Sequence, residues 1–234
     1  MLIATWNVNS LRVRLPHLTD WLAANPVDVI ALQETKLPDS DFPRTDLESL
    51  GLQVAFSGQR TYNGVALLAK AALEDVVAGI PGFEDEQRRV IAATVGGVRV
   101  INVYVPNGQS VGSDKYEYKL RWFEALRGYA AAELGRNPRV VILGDFNVAP
   151  EDRDVHDPKA WEGCVHVSEP ERAALRALLA AGYEDCFRRF EQPEKSYSWW
   201  DYRMMAFRRN AGLRIDLILA SSALAQKCDA CHID

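Results

Sequence analysis

The sequence predicts a single α/β domain built on two packed β-sheets. Three observations lead there. Short aliphatic and β-branched runs recur along the chain, two pairs of them are joined by turn-rich connections, and segments of helical period lie between them. At 234 residues and 48% hydrophobic content, the chain can bury a sizeable core. No repeat, low-complexity tract or linker divides it.

The elements follow in order. "LIATWNV" (2–8) reads as a buried strand. "RLPHLTDWLAAN" (14–25) places Leu15, Leu18, Trp21 and Leu22 at helical spacing and stops before Pro26. "VDVIALQE" (27–34) is a second buried strand ending on Glu34. "LQVAFSG" and "GVALLAK" form a pair across "QRTYN". "RRVIAATV" and "VRVINVYVP" flank Gly96-Gly97, a strong hairpin signal. A helix is predicted over 114–134, with Tyr116, Leu120, Phe123 and Leu134 on its apolar face. A strand at 140–143, a helix near 170–181 and a last strand, "LRIDLILAS", complete the series.

Composition excludes some functions. The formal net charge is −5, so no global basic surface marks a nucleic-acid binder, although clustered arginines can still form a local patch. Four cysteines are scattered at 164, 186, 228 and 231. Cys228, Cys231 and His232 spell the c-type haem string, but that chemistry requires export. No secretory signal or long apolar span is evident, so the expected setting is cytoplasmic and reducing, with no membrane partner. A zinc site would need a second pair of ligands of that kind.

Polar residues recur where the strands end. In "VVILGDFNVAP" a greasy strand runs into Asp145 and Asn147. If the strand continues past Gly144, these two share a face and Phe146 takes the other. They read either as turn chemistry or as part of a site. Asn7 with Asn9, Glu34, Tyr104 with Asn107, and Asp216 occupy comparable positions. An Asn, Glu, Tyr and Asp inventory suits a hard divalent cation, which takes one or two carboxylates, waters and phosphate oxygens. Glu34 is the best ligand, with Asn7 helping. Asp145 would orient a water or take its proton, Asn147 would hold a phosphate, and Tyr104 would offer it a phenol. The pattern points to metal-assisted phosphodiester hydrolysis.

The strings "TWNVNSLRVR", "DVIALQETK", "YNGVALL", "NVYVPNG", "LGDFNVAP", "SWWDYR" and "GLRIDLILAS" together resemble exodeoxyribonuclease III and the related abasic-site endonucleases. These belong to the endonuclease–exonuclease–phosphatase superfamily, and the likeness spans nearly the whole chain. The resemblance implies a four-layered α/β sandwich, a monomer, Mg²⁺ or Mn²⁺ dependence, and duplex DNA as substrate. That DNA would be cut beside an abasic site or degraded from a 3′ end. By motif, Asn7 and Glu34 fall on metal positions with Asn9 close by. Tyr104 and Asn107 fall on phosphate-contacting positions, as does Lys119, for which a solvated helix face is the alternative. Asp145 falls on the acid that handles the water, Asn147 on its neighbour, and Asp216 on the Asp that orients a histidine. Trp199, Leu213 and Ile215 resemble the apolar wall that receives a sugar lacking its base. Arg203 sits where a side chain enters the helix stack. Arg12 and Arg14 would meet backbone phosphates. His166, in "CVHVSEPER", would narrow the pocket and favour trimming of 3′ ends, or else is a surface loop histidine.

The family pattern also carries a terminal Ser-Asp-His strand, which is not found in this sequence. Two further readings stand beside a DNA repair nuclease. One is a superfamily phosphatase, against which "SWWDYR" and "GLRIDLIL" count. The other is a DNA-binding pseudoenzyme with little activity.

Overall fold

The computed structural model describes residues 1–234. It falls into two compact units, Met1–Tyr104 with Arg139–Asp145, and Val105–Pro138 with Phe146–Asp234.

The first unit holds two mixed sheets. One is made of β1 (Ile3–Asn7), β2 (Val29–Gln33), β3 (Gln53–Ser57) and β4 (Val65–Ala69), in the order β1-β2-β4-β3. β1 and β2 run parallel, joined by helix α1 (Leu11–Ala24), while β4 is antiparallel to both of its neighbours. Strand alternation sorts the side chains. Ile30, Leu32, Ala66 and Leu68 meet Leu11 and Leu18 of α1 and Leu47 of the short helix α2 (Arg44–Glu48) in one buried cluster. Each fully buried leucine contributes about 1.5–3 kcal/mol. The opposite face, with Val65 and Leu67, is buried as well, which is why these strands read as unbroken apolar runs.

The second sheet of this unit contains β5 (Glu74–Ala78), β6 (Val90–Val95), β7 (Val98–Tyr104) and β8 (Val140–Asp145), in that order. Gly96 and Gly97 turn β6 into β7 at φ 56° and 75°, the pair of positive angles a two-residue hairpin turn needs. β7 and β8 are parallel, with Tyr104 opposite Asp145. A buried polar clamp ties the two sheets together. Gln33 Nε2 donates to Asn102 Oδ1 at 2.7 Å, and Asn102 Nδ2 donates to the carbonyls of Leu32 and Ala66 at 2.9 and 2.8 Å. Such a network fixes one alignment of the sheets, because any slip leaves buried amides unpaired.

The second unit contains helix α3 (Asp114–Arg136) and helix α4 (Glu169–Ala180), which pack on each other. Ser113 caps α3 by accepting the Tyr116 N–H at 3.2 Å, and a Ser168/Glu171 capping box starts α4. The buried face of α3 comprises Tyr116, Lys119, Trp122, Phe123, Leu126 and Tyr129, whereas Leu120 and Leu134 are only half-buried. Three strands here are short, β9 (Tyr183–Asp185), β10 (Trp199–Trp200) and β11 (Gly212–Leu213), and a fourth, β12 (Asp216–Ser221), is longer. β9 pairs with β12, and β10 with β11. A four-residue helix, α5 (Ser222–Ala225), follows β12.

The structure departs from the expected elements in places. α1 begins at Leu11, because Asn9 and Ser10 at φ 43° and 95° turn the chain straight from β1 into the helix. β5 was not expected. It is an exposed edge strand, "EDVVA", broken by a register shift between Glu74 and Val77, and has little apolar signal. The last strand starts at Asp216 rather than Leu213. β8 ends at Asp145, and Asn147 stands at φ 51°, so strand alternation does not extend to Asn147. No helix is long and apolar enough to cross a membrane.

Candidate active site

In the first unit, β1 and β2 end side by side at Asn7 and Gln33, and β7 and β8 at Tyr104 and Asp145. Parallel neighbours bring the residues at their carboxyl ends to one rim, the usual seat of ligands in α/β sheets. Here the two rims meet. Asn7 Nδ2 donates at 2.8 Å to Glu34 Oε1 and at 2.8 Å to Asp145 Oδ2. The Asn7 Oδ1 accepts the Asn9 N–H at 3.0 Å, which holds the amide in that orientation. The Tyr104 phenol stands beside the Glu34 and Asp145 carboxylates and feels the charge of both. Glu34 lies just past β2 at φ 52°, a left-handed conformation that swings its side chain off the strand. Asp145 is 4% exposed. Gly144 makes its placement possible: at φ 139°, a Cβ there would lie 2.0 Å from the Val103 carbonyl oxygen.

Electrostatics assign states to these groups. Burial raises the Glu34 pKa, but hydrogen bonds from Lys36 and Asn7 and the Lys36 charge outweigh it and hold the carboxyl below its ordinary value. Burial, then the charges of Glu34 and Asp145, push the Tyr104 phenol far up, so it stays a protonated donor. Lys36 was not anticipated. Its ammonium lies 2.9 Å from Glu34 Oε2 and also bonds Asn9 Oδ1. The signal was the i+2 spacing in "ETK".

The second unit carries its own cluster. Lys119 is fully buried, and its ammonium donates to the Asn147 carbonyl at 2.7 Å, the Asn107 carbonyl at 3.1 Å and the Glu171 carboxylate. A solvated helix face is thus not where Lys119 lies. Asn107 Nδ2 lies 3.4 Å from Asn147 Oδ1, and Asn147 Nδ2 donates to the Val105 carbonyl at 2.9 Å. His166 is 6% exposed, not a surface histidine. Its Nδ1 lies 2.6 Å from the Asn147 carbonyl oxygen and its Nε2 3.3 Å from Asn107 Nδ2. Burial, then the Lys119 charge, lower its pKa to about 4, so the imidazole is neutral at physiological pH.

Leu213 and Ile215 lie in a buried cluster with Ala149, Val155 and Val167, and the partly buried Trp199 and Trp161 pack against it. The His166 ring lies 6.3 Å from that of Trp161 and 6.4 Å from that of Trp199. Between the wall residues, Arg214 is buried and bonds Asp154 at 2.7 and 3.3 Å and Asp185 at 2.7 Å. An arginine inside the apolar run "GLRIDLIL" was the overlooked sign of this ion network. The Asp216 N–H is held by Ser198 Oγ at 3.0 Å. Arg203 lies in an exposed segment with Tyr202, Met204, Met205 and Phe207, its guanidinium on Asp201.

Comparison with known proteins bears on this arrangement. Residues 4–234 match the endonuclease/exonuclease/phosphatase family. The chain is 36% identical to exodeoxyribonuclease III of Haemophilus influenzae, over 97% of this chain and 90% of that one. Among solved structures, the Neisseria 3′ phosphatase NExo, bound to a product DNA hairpin, is 48% identical with a TM-score of 0.95. That match covers 97% of this chain and 88% of that one. An AP endonuclease from Archaeoglobus fulgidus is 40% identical with a TM-score of 0.95, over 100% and 92% of the two chains. This chain therefore belongs to the endonuclease/exonuclease/phosphatase family, in its exonuclease III and AP endonuclease branch.

Proposed function

We propose that this chain is a divalent-metal-dependent DNA repair nuclease that hydrolyses phosphodiester bonds at 3′ ends or abasic sites of duplex DNA. The observation that carries the reading is the meeting of Glu34 and Asp145 on one Asn7 amide, with the Tyr104 phenol beside both carboxylates. The donor set fits a hard cation such as Mg²⁺ or Mn²⁺. It consists of oxygens, and the Glu34 carboxylate already faces a positive charge, the Lys36 ammonium. Glu34 would hold the ion, which when bound would polarise a phosphoryl oxygen and stabilise the charge of in-line displacement.

The chain's own groups do the rest. Asn7 orients both carboxylates with one NH₂. Asp145 aligns the attacking water and accepts its proton. Tyr104, kept protonated, donates to a non-bridging phosphate oxygen. In the second unit, Asn147 and Asn107 contact phosphate, and Lys119 acts through them by fixing their carbonyls. Asp216 takes the place of the Asp that orients a histidine in the family pattern, Trp199, Leu213 and Ile215 receive the sugar, and Arg203 enters the stack. His166 fills space beside that apolar wall, which favours end trimming over incision at internal abasic sites.

Cleavage with Mg²⁺ on three duplexes, bearing an internal abasic site, a 3′ recessed end or a 3′-phosphate, tests the proposal. Cutting that disappears in Glu34→Ala supports it. Binding without cutting by the wild-type chain sinks it in favour of a pseudoenzyme.

A further inference from the structure

Tyr104 is held by a neighbour that the nuclease reading leaves without a role. Arg89 begins the run into β6, is 9% exposed, and lays its guanidinium over the Tyr104 ring at 4.7 Å from the centroid. The same side chain donates through Nη1 to the Tyr104 carbonyl at 3.1 Å, while the Tyr104 N–H donates to the Arg89 carbonyl at 2.8 Å. Ring and backbone of Tyr104 are thus gripped by one residue. Arg89 is itself anchored: its Nε and Nη2 both donate to Gln87 Oε1, at 2.9 and 2.7 Å. Gln87 in turn has its N–H fixed by Asp85 Oδ1 at 2.9 Å.

The chemistry of this stack matters because of where the phenol points. Tyr104 stands among the negative charges of Glu34 and Asp145, which weaken it as a donor to an anionic phosphate. The hydrogen bonds of Arg89 go to the neutral oxygens of Gln87 and of the Tyr104 carbonyl, and its guanidinium charge lies over the ring. A cation on a ring face draws electron density from the ring and from the phenolic oxygen, strengthening the O–H as a donor.

We infer that Arg89 is a positioning residue for Tyr104, clamping its ring and enhancing its phenol as the donor to the scissile phosphate. The inference rests on the reading of Tyr104 as a phosphate donor. Arg89 then affects the chemical step and not the hold on DNA.

The test is a double-mutant cycle on the full chain with Mg²⁺ and a 3′-phosphate duplex. Arg89→Met is expected to lower kcat by about 3- to 30-fold with KM little changed. Arg89→Lys, which keeps a charge without the fork to Gln87, should fall between wild type and Arg89→Met. In a Tyr104→Phe background, Arg89→Met should cost nothing further. Gln87→Met, a half-buried change that frees Arg89 and spares the fold if Arg89→Met does not, should show a smaller loss with the same dependence on Tyr104. Losses that add to those of Tyr104→Phe, or a rise in KM alone, overturn the inference and leave the nuclease reading intact. A fully active Tyr104→Phe overturns the inference together with the role given to Tyr104.

Discussion

Glu34 offers the sharpest expectations at the scale of single residues. Its folded pKa is depressed, so its contribution to stability is present above the unfolded value of 4.5 and is lost as pH falls through the folded value. The acid limb of the kcat/KM profile due to Glu34 should therefore lie below the ordinary glutamate range, and Lys36→Met should move it upward. A limb unmoved by that substitution would show that Lys36 does not tune the site. His166 also costs stability in acid, but in a higher pH window. Its folded pKa of about 4 lies below its ordinary 6.5, so the unfolded chain takes up a proton first. Stability should fall as pH drops from 6.5 toward 4, by up to about 1.4 kcal/mol per pH unit. His166→Gly should flatten that slope in urea melts. The same variant should raise abasic incision relative to end trimming, and glycine also relieves the backbone at φ 77°. An unchanged ratio ends the pocket-narrowing idea.

Among elements, α3 and α4 are joined by a buried ion pair rather than by apolar contact alone. Lys119 and Glu171 are both fully buried, and Glu171 also accepts from the His166 N–H at 3.0 Å and from Ser168. Removing one partner strands a charge, so Glu171→Leu should cost about 3–5 kcal/mol in denaturant unfolding. Lys119→Met with Glu171→Leu should recover much of that loss, since no charge is then left unpaired. A double variant no more stable than the single one would mean that the carbonyls of Asn107 and Asn147 depend on the ammonium more than Glu171 does. The helices themselves were legible because their apolar periods and caps are local. The placement of Lys119 was not, because its acceptors come from residues 107, 147 and 171, and no local period records them. Likewise β5 and α2 carry too few apolar residues to stand out, while β2 and β4, buried on both faces, were plain.

Taken whole, the chain has a net charge of −5, so long-range attraction does not draw it to DNA. Under the proposed function, contact depends on local arginines such as Arg12 and Arg203, both exposed. Replacing either with alanine should reduce the slope of log K against log salt by about 1. An unaltered slope would take that residue off the interface. The fold class was open to reading, and the candidate site residues could be picked out because strand-end polar residues stand out against apolar runs. The pairing that brings Glu34 to Asp145 was not, because it depends on the Gln33–Asn102 clamp between sheets, which is written in two residues far apart in the chain.

The single amide that Asn7 shares between two anions has a consequence for ageing of the protein. Hydrolysis of that carboxamide, or Asn7→Asp, would crowd a third anion where an N–H donor had kept two at peace. Near neutral pH such a trio tolerates itself only around a counter-ion. The melting temperature of the altered chain should then climb steeply with added magnesium, while that of the fresh protein responds far less.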